Sequence, residues 1–474
     1  MPRGPAADGM SSPLDEGGGG SGAPSSITYR RAVTSPTTRP DGWRRLAVTT
    51  GGLLAVALAG CSGAPTSPAA PSTSQSSAAP SASSSTSPSS RATPSTGPSP
   101  SASPTGSGRS PRPTASENPA TACVSSTREG LSEEQRLGQL LMVGFDTNAP
   151  LDSLDRLVTR EHVGNVIYLG GWDGADKVTR TSEHLQGLAS TRATGDVGLL
   201  IAADQEGGEV HQLRGEGFTR PPAATVQARL RPEELTRRAT GWAEELKAAG
   251  VNVNLAPVTD TVPEDIGTAN APIGRYGRQY GSTPEAVSRS ATAFLRGMLH
   301  GGVEGTVKHF PGLGRIRNNT DFSSNGITDR VATRHDPFLQ PFADGIKAGA
   351  GLVMMASARY PRLDAENPAM FSRKIVTGLL REQMGYDGVV ITDDVAAEAL
   401  KGIPPGERAV RHVAAGGDIV LTGAASDADD MLAALADKAS TDAGFAAKVD
   451  ESVERVLTLK ERMGLLPCST APKG

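Results

Sequence analysis

The chain has 474 residues, a formal net charge of −4 and only 4% aromatic residues, but 56 glycines and 35 prolines. The scattered Lys and Arg and the absence of a basic excess argue against a nucleic-acid partner. Cys61, Cys123 and Cys468 form no Cys-x-x-Cys pair, which excludes the usual zinc and dithiol redox motifs.

Residues 1–42 are polar, rich in Gly, Pro and Ser, and without hydrophobic periodicity, so disorder is expected. A translation start near Val33 would give a more ordinary leader. Arg44-Arg45 then precedes an apolar stretch of about fifteen residues, the pattern of a signal peptide and too short for a confident membrane span. It ends Leu58-Ala59-Gly60-Cys61, which resembles a bacterial lipobox. On that reading 43–61 is a lipoprotein signal, and Cys61 is lipidated and anchors the protein to the outer face of the cell membrane. The alternative is a soluble secretory signal with a chance cysteine. Residues 62–120 are almost entirely Ser, Thr, Pro, Ala and Gly. They cannot bury enough surface to offset chain entropy, and their proline content predicts a stiffened tether.

From 121 to 468 the composition becomes globular, followed by a short tail at 469–474. Short β-branched runs alternate with amphipathic helices, the rhythm of βα units. Strands are expected at 140–145, 164–169, 198–203, 251–256, 305–309, 351–356, 388–392 and 418–422. Eight strands in about 350 residues predict an α/β fold, a TIM (β/α)8 barrel forming one catalytic domain. Ser132 should cap a helix carrying Leu137, Leu140 and Leu141. Thr283-Pro284 should open one with Val287, Ala291, Phe294 and Met298 on one face, closed by Gly301-Gly302. Ser372 should cap another with Ile375, Leu379 and Leu380. Cys123 and Cys468 bracket the domain. Barrel termini lie close together, so in an oxidising compartment a disulfide is expected; two unpaired thiols are the alternative.

Active sites of TIM barrels form where strands end. Strand three ends in Asp204-Gln205-Glu206-Gly207-Gly208. Strand four ends in Asn254-Leu255-Ala256-Pro257-Val258, with Arg278 about twenty residues on. Strand five ends in Lys308-His309-Phe310-Pro311-Gly312, and strand seven in Thr392-Asp393-Asp394. A polar rim with acids but no thiolate or histidine cluster points to sugar chemistry rather than metal chemistry. Each residue has a plainer reading. Asp393 could cap the next helix, Lys308 could be a core lysine paired with Asp204, and His309 could be a satisfied core histidine. Trp172, after strand two, could stack on a sugar or simply pack.

These four motifs, in this order and at strand ends, resemble glycoside hydrolase family 3, and within it the single-domain bacterial β-N-acetylglucosaminidases. The resemblance covers about 131–466. It implies a retaining mechanism with Asp393 as nucleophile. It also implies that Asp204, Arg278, Lys308 and His309 bind the hydroxyls of a non-reducing N-acetylglucosamine. No metal or organic cofactor is implied; the partners are a glycan, such as peptidoglycan fragments, and the membrane, and a monomer is expected.

The chain departs from the pattern in two places. Relatives carry an Asp-Ser-His triplet after Lys-His-Phe-Pro-Gly, whose histidine is the general acid and base. Here the loop reads Arg315-Ile316-Arg317-Asn318-Asn319-Thr320-Asp321-Phe322, with no histidine between His309 and His335. Counting from Lys308, Asp321 occupies the histidine's place, which makes it the candidate acid/base, with His211 and Glu206 as competitors. A retaining mechanism would set Asp321 about 5 Å from Asp393, and two carboxylates that close would repel, raising one pKa, unless Arg315 or Arg317 pointed inward. After Gly207-Gly208, where the family places arginine, only Arg214 is basic. The leading reading is therefore an exo-β-N-acetylglucosaminidase. A β-glucosidase-like enzyme, a phosphorylase, and a wall-binding lipoprotein that has lost its acid remain as alternatives.

Overall fold

The computed structural model describes residues 118–469. The expected signal segment, Cys61 and the tether up to residue 117 lie outside the described residues. Eight parallel strands form the sheet: β1 Leu141–Asp146, β2 Asn165–Leu169, β3 Leu200–Ala203, β4 Val253–Asn254, β5 Glu304–Phe310, β6 Leu352–Met355, β7 Val389–Thr392 and β8 Val420–Thr422. Neighbours in the sheet run β7-β6-β5-β4-β3-β2-β1-β8. The ring closes between β7 and β8, where Ile391 faces Ile419, Thr392 N–H donates to the Ile419 carbonyl and Ile419 N–H donates to that of Val390. With helices around the strands, this is a TIM barrel. Nearly every strand residue is buried, as a parallel sheet covered on both faces requires.

All eight expected strands form, with edges shifted by local chemistry. β4 is only two residues long because Pro257 has no N–H to extend the ladder, and pairing resumes as a single bridge between Val258 and Lys308. Ser132 caps its helix through a reciprocal box with Gln135: Ser132 Oγ accepts the Gln135 N–H at 3.2 Å, and Gln135 Oε1 accepts the Ser132 N–H at 3.0 Å. That helix stops at Gly138, however, so Leu140 lies beyond it and Leu141 belongs to β1. Gly138 presses on the His162 backbone, where a Cβ would come within 1.9 Å of a carbonyl oxygen.

Thr283 caps Pro284–His300, and Val287, Ala291, Phe294 and Met298 are buried as expected. The same helix approaches Pro232–Ala248 closely. A Cβ on Gly297 or Gly301 would sit 2.4 Å from the methyl of Ala239 or Ala243 respectively. Glycines four apart therefore face alanines four apart and let two helices press together between β3 and β5. Ser372 caps the expected helix, but only Arg373–Ile375 is α; Val376–Gln383 runs as a π-helix. Its Arg381 donates to the buried Asp418 at 2.6 Å, and Asp418 also accepts from Arg455 at 3.0 Å on the last helix. Cys123 and Cys468 are joined by a disulfide, with Cα atoms 5.7 Å apart.

Candidate active site

The C-terminal ends of β3, β4, β5 and β7 bring together the residues singled out from the sequence. Lys308 is buried near the C-terminal end of β5, and its Nζ lies 2.6 Å from Asp204 Oδ1 and 2.6 Å from Glu206 Oε1. Arg278 clamps the same glutamate with two bonds, Nη2 to Oε1 at 2.7 Å and Nε to Oε2 at 2.8 Å, and a third bond reaches the Pro272 carbonyl at 2.8 Å. Two cations therefore converge on Glu206. Burial opposes its ionisation, but Arg278 and Lys308 outweigh burial and hold the carboxyl at about 2. That removes Glu206 from the list of proton donors, since a carboxylic acid must keep its proton near working pH to donate it. Its position instead fixes Lys308 and Arg278 beside Asp204.

His309 is buried, and its Nδ1 lies 2.7 Å from Asp260 Oδ2. A carboxylate only accepts, so Nδ1 carries the proton and Nε2 is the remaining polar atom of the ring. Asp260 also accepts the Leu313 N–H at 2.7 Å, tying the loop after β5 to the loop after β4. Sequence reasoning missed Asp260. It stands two residues beyond Pro257-Val258, where the motif reading stopped, and a search for strand-end carboxylates would have included it.

The adjacent aspartates after β7 have separate environments. Asp394 Oδ1 accepts the backbone N–H groups of Ala396 at 2.8 Å and Gly423 at 2.9 Å, so it orders the loops after β7 and β8. Asp393 accepts only the N–H of Asp394, at 2.9 Å, among the bonds of its side chain. Burial pushes the Asp393 carboxyl up, while His309 and Lys308 pull it back toward ionisation.

Asp321 arrives from the loop after β5. Arg315 anchors that loop by bonds to Asp336 at 2.6 and 2.8 Å and to Asp329 at 3.3 Å, and by stacking 3.8 Å over the Phe338 ring. The Glu398 N–H donates to the Asp321 carbonyl at 3.2 Å, and the Ala399 N–H to that of Thr320 at 3.1 Å. These bonds lay the loop against the one following β7 and set Asp321 within electrostatic reach of Asp393. Burial first, then the charge of Asp393, push the Asp321 carboxyl up to about 6, against the pull of Arg278 and His309. Neither nearby loop arginine cancels this rise: Arg315 is engaged with Asp336 and Asp329, and Arg317 is exposed.

The other candidates belong to the loops after β2 and β3. His211 sits on a two-residue strand paired with Gln205–Gly207, and burial and then Arg220 push its pKa down. Its charged neighbours Arg220, Arg214 and Glu209 all belong to its own loop. Arg214 lies over Gly171, where a Cβ would be 3.1 Å from its Nη2, so it covers the turn after β2. Trp172 is buried against Tyr168 and Phe145, with ring centroids at 4.6 and 5.4 Å, and Nε1 donates to the Leu169 carbonyl. Trp172 is a packing residue of the core.

Two neighbouring buried carboxylates, at the mouth of a TIM barrel and among fixed charged and polar side chains, are the equipment of a glycoside hydrolase. Residues 132–459 match the family model for the Glycosyl hydrolase family 3 N terminal domain, and the chain belongs to that family. It is similar to the beta-N-acetylhexosaminidase from Beutenbergia cavernae, with 47% identity and a TM-score of 0.68 over 70% of this chain and 98% of that one. A family 3 beta-N-acetylglucosaminidase from a Paenibacillus species is 33% identical, with a TM-score of 0.61 over 71% and 63% of the two chains. The beta-hexosaminidase of Stenotrophomonas maltophilia is 33% identical over 307 residues, which is 62% of this chain and 87% of that protein.

Proposed function

We propose that this chain is a retaining exo-β-N-acetylhexosaminidase that removes terminal β-linked N-acetylglucosamine from cell-wall glycans or their fragments. The observation that carries this reading is the pair of carboxylates: the loop after β5, bonded to the loop after β7, sets Asp321 within electrostatic reach of the buried Asp393, and burial and that charge push the Asp321 carboxyl up to about 6. The names of the relatives supply the sugar. Asp204, Arg278, Lys308 and His309 hold its hydroxyls. In the first step an Asp393 oxygen bonds to the anomeric carbon as the glycosidic bond breaks, and Asp321 passes its proton to the leaving oxygen. In the second, water bonds to that carbon, Asp321 takes the water's proton, and the ester to Asp393 breaks.

The electrostatics fit this cycle. Forming the ester removes the negative charge of Asp393, which is one of the two causes of the raised Asp321 pKa. Asp321 is therefore an acid before the first step and a better ionised base after it. An ionised Asp321 favours water over a phosphate anion in the second step, hence hydrolysis over phosphorolysis.

Aryl β-N-acetylglucosaminide and aryl β-glucoside, each incubated with the folded domain, test the reading. The expected result is release from the N-acetylglucosaminide at a rate well above that from the glucoside. An aryl leaving group needs little protonation, so release from neither would indicate a binding protein rather than an enzyme.

We also place the enzyme outside the cytoplasm, lipid-anchored through Cys61, on the sequence pattern of a charged leader, a short apolar run and a terminal cysteine. Cys61→Ala should move the protein from the membrane fraction to the soluble one with unchanged specific activity. Retention in the membrane fraction would mean that the apolar stretch is an uncleaved anchor.

A further inference from the structure

The chain has nine phenylalanines, and their placement is uneven. Seven are buried: Phe145, Phe218, Phe294, Phe310, Phe342, Phe371 and Phe445. Phe338 lies beneath the Arg315 guanidinium. Phe322 is left 64% exposed, the greatest exposure of any large apolar side chain among the described residues. It follows Asp321 directly in the chain. Exposing a phenyl ring forgoes its burial, and single exposed apolar residues are common on protein surfaces. The position of this one, beside the residue assigned to handle the leaving oxygen, sets it apart from the exposed Leu151, Val226 and Val331.

The backbone on both sides of Phe322 is tied down. The Phe322 N–H donates to the Asn319 carbonyl at 3.2 Å, and the Arg317 N–H to that of Gly326 at 3.0 Å. Asn318 Nδ2 donates to the Asn325 carbonyl at 2.8 Å, and Ser323 Oγ and Asn325 N–H close a small turn. Gly326, at φ +69°, completes the reversal. Phe322 is thus held exposed by an ordered hairpin, whose own bonds to the loop after β7 also fix Asp321. A platform already in place loses little conformational entropy when a ligand covers it.

Resting on the proposed function, we infer that Phe322 forms the leaving-group subsite, taking the pyranose ring on the reducing side of the scissile bond. Asp321 must reach the glycosidic oxygen, and the leaving sugar begins at that oxygen. Phe322 adjoins Asp321 in the chain and is exposed, and the apolar face of a pyranose ring matches an exposed phenyl ring. This sugar is bound by stacking, which tolerates different substituents, whereas the sugar attacked by Asp393 is bound by charged groups.

The test uses Phe322→Ala and Phe322→Trp with a β-1,4-linked N-acetylglucosamine disaccharide as substrate and free N-acetylglucosamine as inhibitor. Phe322→Ala should raise KM for the disaccharide about fivefold with less change in kcat, and Phe322→Trp should restore it. Inhibition by the free monosaccharide, which occupies the charged site, should be unchanged. Unaltered disaccharide kinetics in Phe322→Ala would overturn the subsite, and so would an equal weakening of monosaccharide inhibition, which would mean a general disturbance of the loop. If the wild-type enzyme cleaves neither the disaccharide nor aryl N-acetylglucosaminide, the parent reading fails and the subsite with it. Cleavage by the wild type with an indifferent Phe322→Ala rejects the subsite alone.

Discussion

Asp393→Asn should lower turnover of aryl β-N-acetylglucosaminide by about three orders of magnitude or more, with the barrel still folded. An amide oxygen cannot form the glycosyl ester, and the substitution leaves the site's size and shape unchanged. The fold should survive because the Asp393 side chain supports no other element: its one backbone bond is to the N–H of its neighbour. Its neighbour differs. Asp394 Oδ1 holds the N–H groups of Ala396 and Gly423, so Asp394→Ala, which removes that acceptor, should disturb the loops after β7 and β8 and show in thermal stability as well as in rate. Steady-state kinetics beside a circular-dichroism melt separate the two. Near-normal turnover in Asp393→Asn would transfer the nucleophile's role away from this residue.

The fold was legible in the sequence wherever one physical rule governed a segment. Parallel strands buried on both faces read as short apolar runs, and all eight appeared as such. Caps at Ser132, Thr283 and Ser372 were visible because a hydroxyl side chain at a helix start has one main use. The boundary at Leu140 and Leu141 was not, since leucine suits a helix face and a buried strand equally; contact of Gly138 with the distant His162 backbone settles it. The π-helix over Val376–Gln383 was likewise hidden, because its apolar spacing also fits an α-helix.

The residues that meet at the rim were legible, and so were two of their pairings, Lys308 with Asp204 and Asp321 near Asp393, but not the others. Asp204, Arg278, Lys308, His309, Asp321 and Asp393 were all named from strand ends and from the resemblance. Their partners depended on contacts between residues far apart in the chain. Glu206 was a competing acid on paper, and it became a clamped carboxylate once Arg278, 72 residues away, and Lys308 closed on it. Asp260 went unnamed because its role exists only across 49 residues, where it meets His309. Charge pairing in a barrel rim is set by which loops are neighbours, and single-sequence spacing does not carry that information.

Asp321→Ala should split the enzyme's two steps apart. On a natural glycan the loss should be about a hundredfold to ten-thousandfold, because the leaving sugar oxygen departs only with a proton. On an activated aryl substrate the first step should survive, since the aryl oxide is stable without one. The second step should then become limiting, as nothing takes the proton from water, and glycosyl-enzyme should accumulate on Asp393. Added azide should restore the rate: it is a strong nucleophile that needs no base, and it would leave as a glycosyl azide that can be isolated. The pH profile gives an independent reading. A general acid acts only while protonated, so with the first step limiting, wild-type activity should fall as pH rises through about 6, where Asp321 titrates. The opposite limb belongs to Asp393, which must be ionised to attack, so activity should also fall at low pH. In Asp321→Ala assayed on the aryl substrate, the alkaline limb near 6 should vanish while the acidic limb remains. Equal, small losses on both substrates, no effect of azide and an unchanged alkaline limb would together remove Asp321 from the mechanism. The proton would then have to come from a group outside residues 311–326, where Asp321 is the only acidic side chain.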